Sequence, residues 1–297
     1  MTKVIAIGNF DGVHRGHQAI LRAARDLAGS GTVVAMTFWP HPISILRPEK
    51  TPPLLCDISD RVTLLKQAGA DEVSIVEFTS SLAGWTPAQF VEKILCALNP
   101  TAVVVGQNFR FGVGAQADGH QMHELAHGRF DVTVLPMIRL DGPFEGRVSS
   151  SRIRAALIDG DPKLASQMLG RWFTYSGIVV MGDQRGHQLG FPTANLSIPT
   201  RWACPADGVY AGYLHHGDQC WGAAISVGTT PTFDGVQRRV EAHALDHSDL
   251  KLYGEKVGVD FVDFIRGQMR FDSKEALIAQ MQKDVETTRE ILAAQEL

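Results

Sequence analysis

The stretch "VIAIGNFDGVHRGHQAIL", residues 4–21, joins an apolar run to a glycine-bearing turn and then to a helical pattern. Val4–Ile7 are apolar and stop at Gly8, the mark of a short buried strand. "HQAILRAARDLAGSG" carries Ile20, Ala23, Ala24 and Leu27 at helical spacing and ends at Gly29. The turn between them holds Gly8, Gly12, Asp11, His14, Gly16 and His17. Gly8 and Gly12 let backbone approach a ligand closely. A helix N-terminus presents free amides and a partial positive charge to phosphate. His14 and His17, at i and i+3, can turn into one site and donate to phosphate oxygens, best when protonated. The common phosphate loops GxxxxGK[ST] and GxGxxG are both absent.

Outward from this stretch the first half alternates. "TVVAMTF" (32–38), "DEVSIVEF" (71–78), "TAVVVG" (101–106) and "FDVTVLPMI" (130–138) read as strands. "DRVTLLKQAG" (60–69), "PAQFVEKILCAL" (87–98) and "SSRIRAALIDGD" (150–161) read as helices. Strand and helix in alternation predict a parallel sheet covered on both faces. Ligands of such sheets bind at the carboxyl ends of strands, where the opening turn falls.

Near residue 170 the rhythm changes. "FTYSGIVVMG", "GVYAGYLHH", "CWGAAISVG", "RRVEAHALD" and "EKVGVDFVDFI" are short β-rich runs separated by glycine turns. They predict an antiparallel barrel or a sandwich. A last helix is expected over "DSKEALIAQMQKDVETTREIL", with Asp272 as N-cap and Leu277, Met281, Val285 and Ile291 on its apolar face. The domain boundary is placed at 168–172.

Composition fits a globular protein of two domains: 297 residues, 44% hydrophobic, 20% charged. A formal net charge of −4 argues against a broad grip on nucleic acid or anionic membrane. Cys56, Cys96, Cys204 and Cys220 form no CxxC pair, as expected of free thiols in a reducing cytoplasm. No secretory leader is expected, because the apolar run before Gly8 is too short, and no run reaches membrane-spanning length.

"HELAH" (123–127) matches the zinc-peptidase pattern HExxH, which would set two histidines on one helical face. Gly128 ends that helix at once, so a short surface helix is expected instead. In the second half, "GDQRGHQLGFPTANL" (182–196) has glycines at 182, 186 and 190, the makings of a loop that a phosphate chain can approach. Thr193 and Asn195 are hard oxygen donors suited to Mg²⁺. In "VEAHALD" (240–246), Glu241 and His243 alternate onto one strand face.

"HRGH" (14–17) after a first strand resembles the HxGH signature of nucleotidyltransferases. Together, "GNFDGVHRGHQ", "TFWPHP" (37–42), "VVVGQNFRFG" (103–112) and "VSSSRIRAAL" (148–157) resemble the adenylyltransferase half of prokaryotic bifunctional riboflavin kinase/FAD synthetases. "LGFPTAN", "GVYAG" (208–212), "ISVGTTPTF" (225–233) and "VEAHALD" resemble the flavokinase half of the same enzymes. The resemblance implies a Rossmann-like FMN adenylyltransferase domain over 1–170. It further implies a riboflavin kinase domain over 171–297, built as a six-stranded antiparallel β-barrel with a terminal helix. ATP, riboflavin, FMN and FAD are then substrates and products, and Mg²⁺ the metal. The implied bearing is cytoplasmic, monomeric or weakly homo-oligomeric, without nucleic-acid or membrane partners.

The resemblance also implies residue roles. His14, His17 and Arg154 would act on the polyphosphate with Gly8, Asn9, Phe10, Asp11, Gly12, Gly16, Ser149, Ser150 and Ser151. His41, Asn108 and Arg110 would meet FMN or nucleotide. In the kinase half, Gly182, Arg185, His187, Gly190, Phe191, Pro192, Thr193, Asn195, Gly208 and Tyr210 would bind ATP or flavin. Thr193 and Asn195 would hold Mg²⁺, and Glu241 would be the base for the ribityl hydroxyl. The chain departs from the family at Ser151, where threonine is common, and at His187, where arginine is common. His187 exchanges a permanent cation for one that titrates near neutrality, so weaker or more pH-dependent ATP binding is expected. A flavin-nucleotide carrier without turnover would lack His14, His17 or Glu241; all three are present.

Overall fold

A computed structural model describes residues 2–182, 190–199, 201–232, 235–247 and 250–295. The chain divides into two compact units, Met1–Ser150 and Ser151–Leu297.

The first unit is built on a five-stranded parallel sheet: β1 (Lys3–Ile7), β2 (Thr32–Trp39), β3 (Glu72–Glu77), β4 (Ala102–Gly106) and β5 (Asp131–Leu135). Their order is β3-β2-β1-β4-β5. Successive strands step one way from β1 and then the other, so β1 and β4 flank the topological switch point. Period-two alternation decides which residue faces which layer. Ile5, Ile7, Val103 and Val105 enter one buried cluster with Phe90, Phe111 and Met122. Val4, Ala6, Ala102 and Val104 enter the other, with Ile20, Leu21 and Ala24. Both faces are thus covered, which is why these strands read as unbroken apolar runs.

The helices of this unit are α1 (Arg15–Ala28), α2 (Pro42–Leu46), α3 (Ile58–Gln67), α4 (Ser80–Ala83), α5 (Pro87–Phe90) and α6 (Gly119–Ala126). The segment expected as one helix over 87–98 is α5 followed by a π-turn, Val91–Leu95, and a 3₁₀ turn, Cys96–Leu98. In α1 the buried line is Ile20, Leu21, Ala24 and Ala28, and Leu27 faces out at 47% exposure. A small hairpin, β6 (Arg139–Leu140) with β7 (Gly146–Arg147), precedes α7 (Ser150–Ile158).

The second unit is a closed barrel, and sandwich geometry is excluded. Its strands are β8 (Phe173–Val180), β9 (Ala194–Ser197), β10 (Gly208–His216), β11 (Gln219–Thr232), β12 (Gly235–Ala244) and β13 (Lys256–Arg266). They close in the order β10-β11-β12-β9-β8-β13. Five of the six match the β-rich runs of the sequence. The sixth, β9, hides in "TANLS", where only four residues pair. Two helices pack on this unit: α8 (Pro162–Leu169) and α9 (Lys274–Ala293). The sequence reading missed α8 because Pro162 breaks the pattern. Proline at N1 instead starts a helix, and Asp161 Oδ1 accepts from Leu164 N at 2.8 Å as its cap.

One expectation for α9 is corrected. Its N-cap is Ser273, whose hydroxyl accepts from Ala276 N at 3.1 Å, and not Asp272. Its buried residues, Asp284, Thr288 and Leu292, lie on the same helical face as the expected Leu277, Met281, Val285 and Ile291, which are half-buried there. A polar residue occupies that face because Arg266 of β13 meets it: Nε to Asp284 Oδ1 at 2.9 Å, Nη2 to Oδ2 at 2.6 Å.

Candidate functional sites

The turn after β1 is strained and tightly held. Phe10, Gly12 and Val13 have φ of 50°, 82° and 41°. Val13 is β-branched, so this left-handed conformation costs energy that surrounding contacts must offset. They do so from three directions. Asp11 Oδ1 accepts from Leu55 N at 3.0 Å. Gly12 N donates to Cys56 Sγ at 3.2 Å, and burial pushes the Cys56 thiol up to about 11, so the sulfur is neutral. Ser150 Oγ donates to Asp11 O at 2.9 Å.

The two histidines meet as expected, but not as a pair of cations. Their rings stack at 3.6 Å between centroids with an interplanar angle of 15°. His14 caps α1: its Nδ1 accepts from His17 N at 3.3 Å, so that nitrogen carries no proton and Nε2–H is the donor. His17 lies against the Phe10 ring edge, 5.2 Å between centroids. Burial, then the neighbouring His14, then Arg61 push its basicity well below the ordinary imidazole value. The expectation of binding best as protonated donors is therefore corrected for His17; a buried imidazolium beside two other basic groups is disfavoured. Gly16 is the residue that allows the stack, since a Cβ there would stand 3.1 Å from His14 Cε1. A Cβ on Gly8 would stand 3.0 Å from the Phe10 ring.

The neighbouring strand ends fall on the same carboxyl edge. Thr37 Oγ1 of β2 donates to Asn9 O at 2.9 Å. After the cis Trp39–Pro40 bond, His41 caps α2, its Nδ1 accepting from Ile43 N at 3.2 Å. Asn108 and Arg110 lie in the turn after β4, both exposed. Arg110 Nη1 donates to Phe109 O at 2.7 Å and Gln107 O at 3.1 Å. In the second compact unit, Ser151 and Arg154 stand one turn apart on α7, Ser151 exposed and Arg154 buried. Ser149 is half-buried ahead of α7.

Sequence reasoning missed Arg61 and Cys56. Arg61 has no exposed surface and is the largest fully buried side chain among the described residues. Its Nη1 donates to Asn9 O at 2.9 Å, and Nη2 faces Asp11 Oδ1 at 3.5 Å. The available signal was its spacing: Arg61 precedes buried Leu65 by one helical turn, on the inward stripe of α3. His127 sits at φ 49°, beyond the end of α6, so His123 and His127 do not share a helical face and the HExxH pattern has no zinc geometry.

In the barrel, Glu241 of β12 lies directly across from Asn195 of β9 on one side and Ser226 of β11 on the other. Cross-strand partners project to the same face. Asn195 is buried and donates from Nδ2 to Thr193 Oγ1 at 3.1 Å and Thr193 O at 3.2 Å. Gly182 abuts it: a Cβ there would meet Asn195 Cγ at 2.5 Å. His243, two residues along from Glu241, donates from Nδ1 to Pro192 O at 2.9 Å, and the Phe191 ring packs edge-on against it at 5.3 Å. Gly190 turns this segment at φ 87°. The carboxylate, the amide and the hydroxyl thus gather on one wall. Gly208 and Tyr210 are packed differently. A Cβ on Gly208 would lie 2.6 Å from the Phe264 ring. Tyr210 is wholly buried, donating to Ala206 O at 2.7 Å. Arg185 and His187 lie outside the described residues.

A family model described as FAD synthetase matches residues 1–152, and one described as riboflavin kinase matches 169–292. A bifunctional riboflavin kinase/FMN adenylyltransferase of Listeria monocytogenes is 34% identical over 99% of this chain and 93% of its own. The enzyme of the same name from Escherichia coli K12 is 36% identical, over 97% and 92%. A crystal structure from Streptococcus pneumoniae, described as a macrolide-efflux protein, superposes with a TM-score of 0.87 at 33% identity, over 97% and 94%. No helix among the described residues of this chain is long and apolar enough to cross a membrane. With both halves matched in order, the chain belongs to the bifunctional riboflavin kinase/FMN adenylyltransferase family, and it phosphorylates riboflavin to FMN and adenylylates FMN to FAD.

Proposed function

We propose that the two reactions are divided between a domain over 1–170 and a domain over 171–297, each with its own catalytic groups. In the first, an FMN phosphate oxygen attacks the α-phosphorus of ATP and pyrophosphate leaves. Charge builds on phosphate oxygens, so the protein contributes position and hydrogen bonds more than covalent chemistry. His14 would donate from Nε2 and His17 as a neutral ring. Gly12 N is given to Cys56 Sγ and Gly8 N to Met36 O, so Gly8 and Gly12 would serve by close backbone approach, while the amides of Asn9, Phe10 and Gly16 would face the phosphates. Ser149–Ser151 and Arg154 would hold the polyphosphate. His41, Asn108 and Arg110 would meet FMN or nucleotide. Asp11 is read as an anchor for the turn, because its carboxylate already takes the Leu55 amide and faces Arg61.

In the second domain, the ribityl 5′-hydroxyl attacks the γ-phosphorus and ADP leaves. Glu241 would orient that hydroxyl and take its proton late, since a carboxylate with an ordinary value near ~4.3 cannot ionise an alcohol beforehand. Asn195 Nδ2 donates to Thr193 Oγ1 at 3.1 Å, so the hard oxygens suited to Mg²⁺ are Thr193 Oγ1 and Asn195 Oδ1, and they would hold it. When bound, the metal neutralises phosphate charge. Gly182, Gly190, Phe191 and Pro192 would shape the ATP and flavin walls, with Gly208 and Tyr210 supporting them from the packed interior. Cytoplasmic placement and a monomer or weak homo-oligomer complete the reading.

The observation that carries this assignment is the cross-strand pairing of Glu241 with Asn195, hydrogen-bonded in turn to Thr193. It supports a kinase centre separate from the histidine turn. Replacing both His14 and His17 with alanine should abolish FAD synthesis while FMN formation continues. The assay incubates protein with riboflavin, ATP and Mg²⁺ and separates FMN from FAD by chromatography. FAD at wild-type yield would refute the histidine roles.

A further inference from the structure

Arg61 carries a full charge in a fully buried position, yet its hydrogen bonding does not resemble that of a residue kept only to neutralise Asp11. The separation from Asp11 Oδ1 is 3.5 Å, looser than a bidentate arginine–carboxylate pair. The shortest bond, 2.9 Å, goes to the backbone carbonyl of Asn9. Thr37 Oγ1 and Phe38 O each lie 3.4 Å from the same nitrogen. Nε and Nη2 are buried with no hydrogen-bond partner among the described residues. The guanidinium also covers the Trp39 ring at 5.6 Å.

We propose that Arg61 is a positioning residue for adenylyl transfer: it ties the ends of β1 and β2, through Asn9, Thr37 and Phe38, around the stacked His14–His17 pair. This rests on the phosphate contacts proposed for those histidines. The arrangement has a geometric logic. Asn9 belongs to the strained turn, and Phe38 and Thr37 belong to the strand beside it. A single guanidinium nitrogen, Nη1, therefore links the turn after β1 to the end of β2 beside it, which fixes their spacing.

Its charge acts on the site as well. The titratable and charged groups that face His17 are His14, from the same turn, and Arg61, from α3. Phe10 covers the remaining ring edge without charge. Arg61 thus helps keep His17 neutral, so the ring would meet phosphate as a neutral N–H donor. Asp11 Oδ1 faces Arg61 Nη2 at 3.5 Å from the other side.

The test compares four full-length proteins: wild type, Arg61→Met, Arg61→Lys, and Arg61→Met combined with Asp11→Asn. The double variant leaves no unpaired buried carboxylate, so a purely neutralising role predicts recovery. The readouts are kcat and KM for FMN adenylylation, FMN formation in the same sample, and the NMR titration of the His17 ring proton. Both proteins carrying Arg61→Met should lose about 10²-fold in adenylylation kcat. The KM for ATP should move less than about threefold, since the ground-state contacts remain. Riboflavin phosphorylation should hold, and His17 should titrate at a higher pH than in wild type. Arg61→Lys should recover most of the rate and the wild-type titration. If Arg61→Met alone does not fold, the double variant and the lysine variant give the same decision. A double variant with wild-type kcat and an unmoved His17 titration would overturn the proposal. Wild-type adenylylation by His17→Ala would overturn the underlying reading of the histidine pair, and this proposal with it.

Discussion

Gly182→Ala should disable the kinase reaction and spare FAD synthesis from FMN. A methyl group at this position would lie 2.5 Å from Asn195 Cγ and Oδ1 and 2.6 Å from Nδ2. One of the two must move. Asn195 has little freedom to do so, being 6% exposed and bonded twice to Thr193. Swinging the amide away breaks both bonds, at about 1 kcal/mol net each. The competent arrangement is then disfavoured by about 2 kcal/mol, which is roughly 30-fold in population. We therefore expect kcat/KM for riboflavin phosphorylation to fall about 30-fold. Adenylylation of supplied FMN should stay within about twofold, because that chemistry belongs to the other unit. Both rates come from one preparation, with FMN and FAD separated by chromatography. The internal control distinguishes a local effect from poor folding. Wild-type phosphorylation by folded Gly182→Ala protein would mean that the Asn195 amide is not part of the kinase site.

Other outcomes follow from the same structure. Glu241→Gln keeps the size of the side chain and one acceptor oxygen but removes the base, so kinase kcat should fall by about 10²-fold or more while FMN adenylylation continues; unchanged FMN formation would exclude Glu241 as the base. Asp284→Ala leaves the Arg266 guanidinium unpaired behind α9, at a cost of about 3 kcal/mol, and should lower the unfolding midpoint of the barrel by about 10 °C. A midpoint equal to wild type, read by calorimetry, would show that the pair does not hold the helix. Asp260 bonds His215 Nε2 at 2.6 Å and raises its basicity above the ordinary value. The stabilisation is present in full below about pH 6.5 and is lost as pH rises through the folded-state value. His215 is 37% exposed, so solvent screening keeps this term small. Asp260→Asn should flatten that part of the stability–pH profile, and a profile identical to wild type would argue against the pair.

Much of the first site was legible because it depends on residues close in the chain. Gly8, Gly12, Gly16, His14 and His17 lie in ten consecutive positions, and their place at a strand–helix junction marked a candidate ligand turn that only the further motifs narrowed to phosphate. What it did not carry was protonation. His17 reads as a cation on spacing alone; burial, His14 and Arg61 together make it neutral, and two of those three causes come from the surrounding fold. Arg61 itself, 44 residues past His17, reads as an ordinary helix charge until α3 packs and buries it.

The barrel divides in the same way. Alternating β-rich runs and glycine turns determined five strands and an all-β second half, because period-two patterning is local. Closure was not local. It needed β9, four residues long, to bridge β8 and β12, and such a short strand has no periodicity to read. That same strand sets Asn195 opposite Glu241, so the step that closed the barrel also assembled the proposed kinase site. The sequence by itself determined which side chains were present and on which face each would project. Only the tertiary structure decided which faces meet, because pairing register and burial are properties of elements brought together from distant parts of the chain.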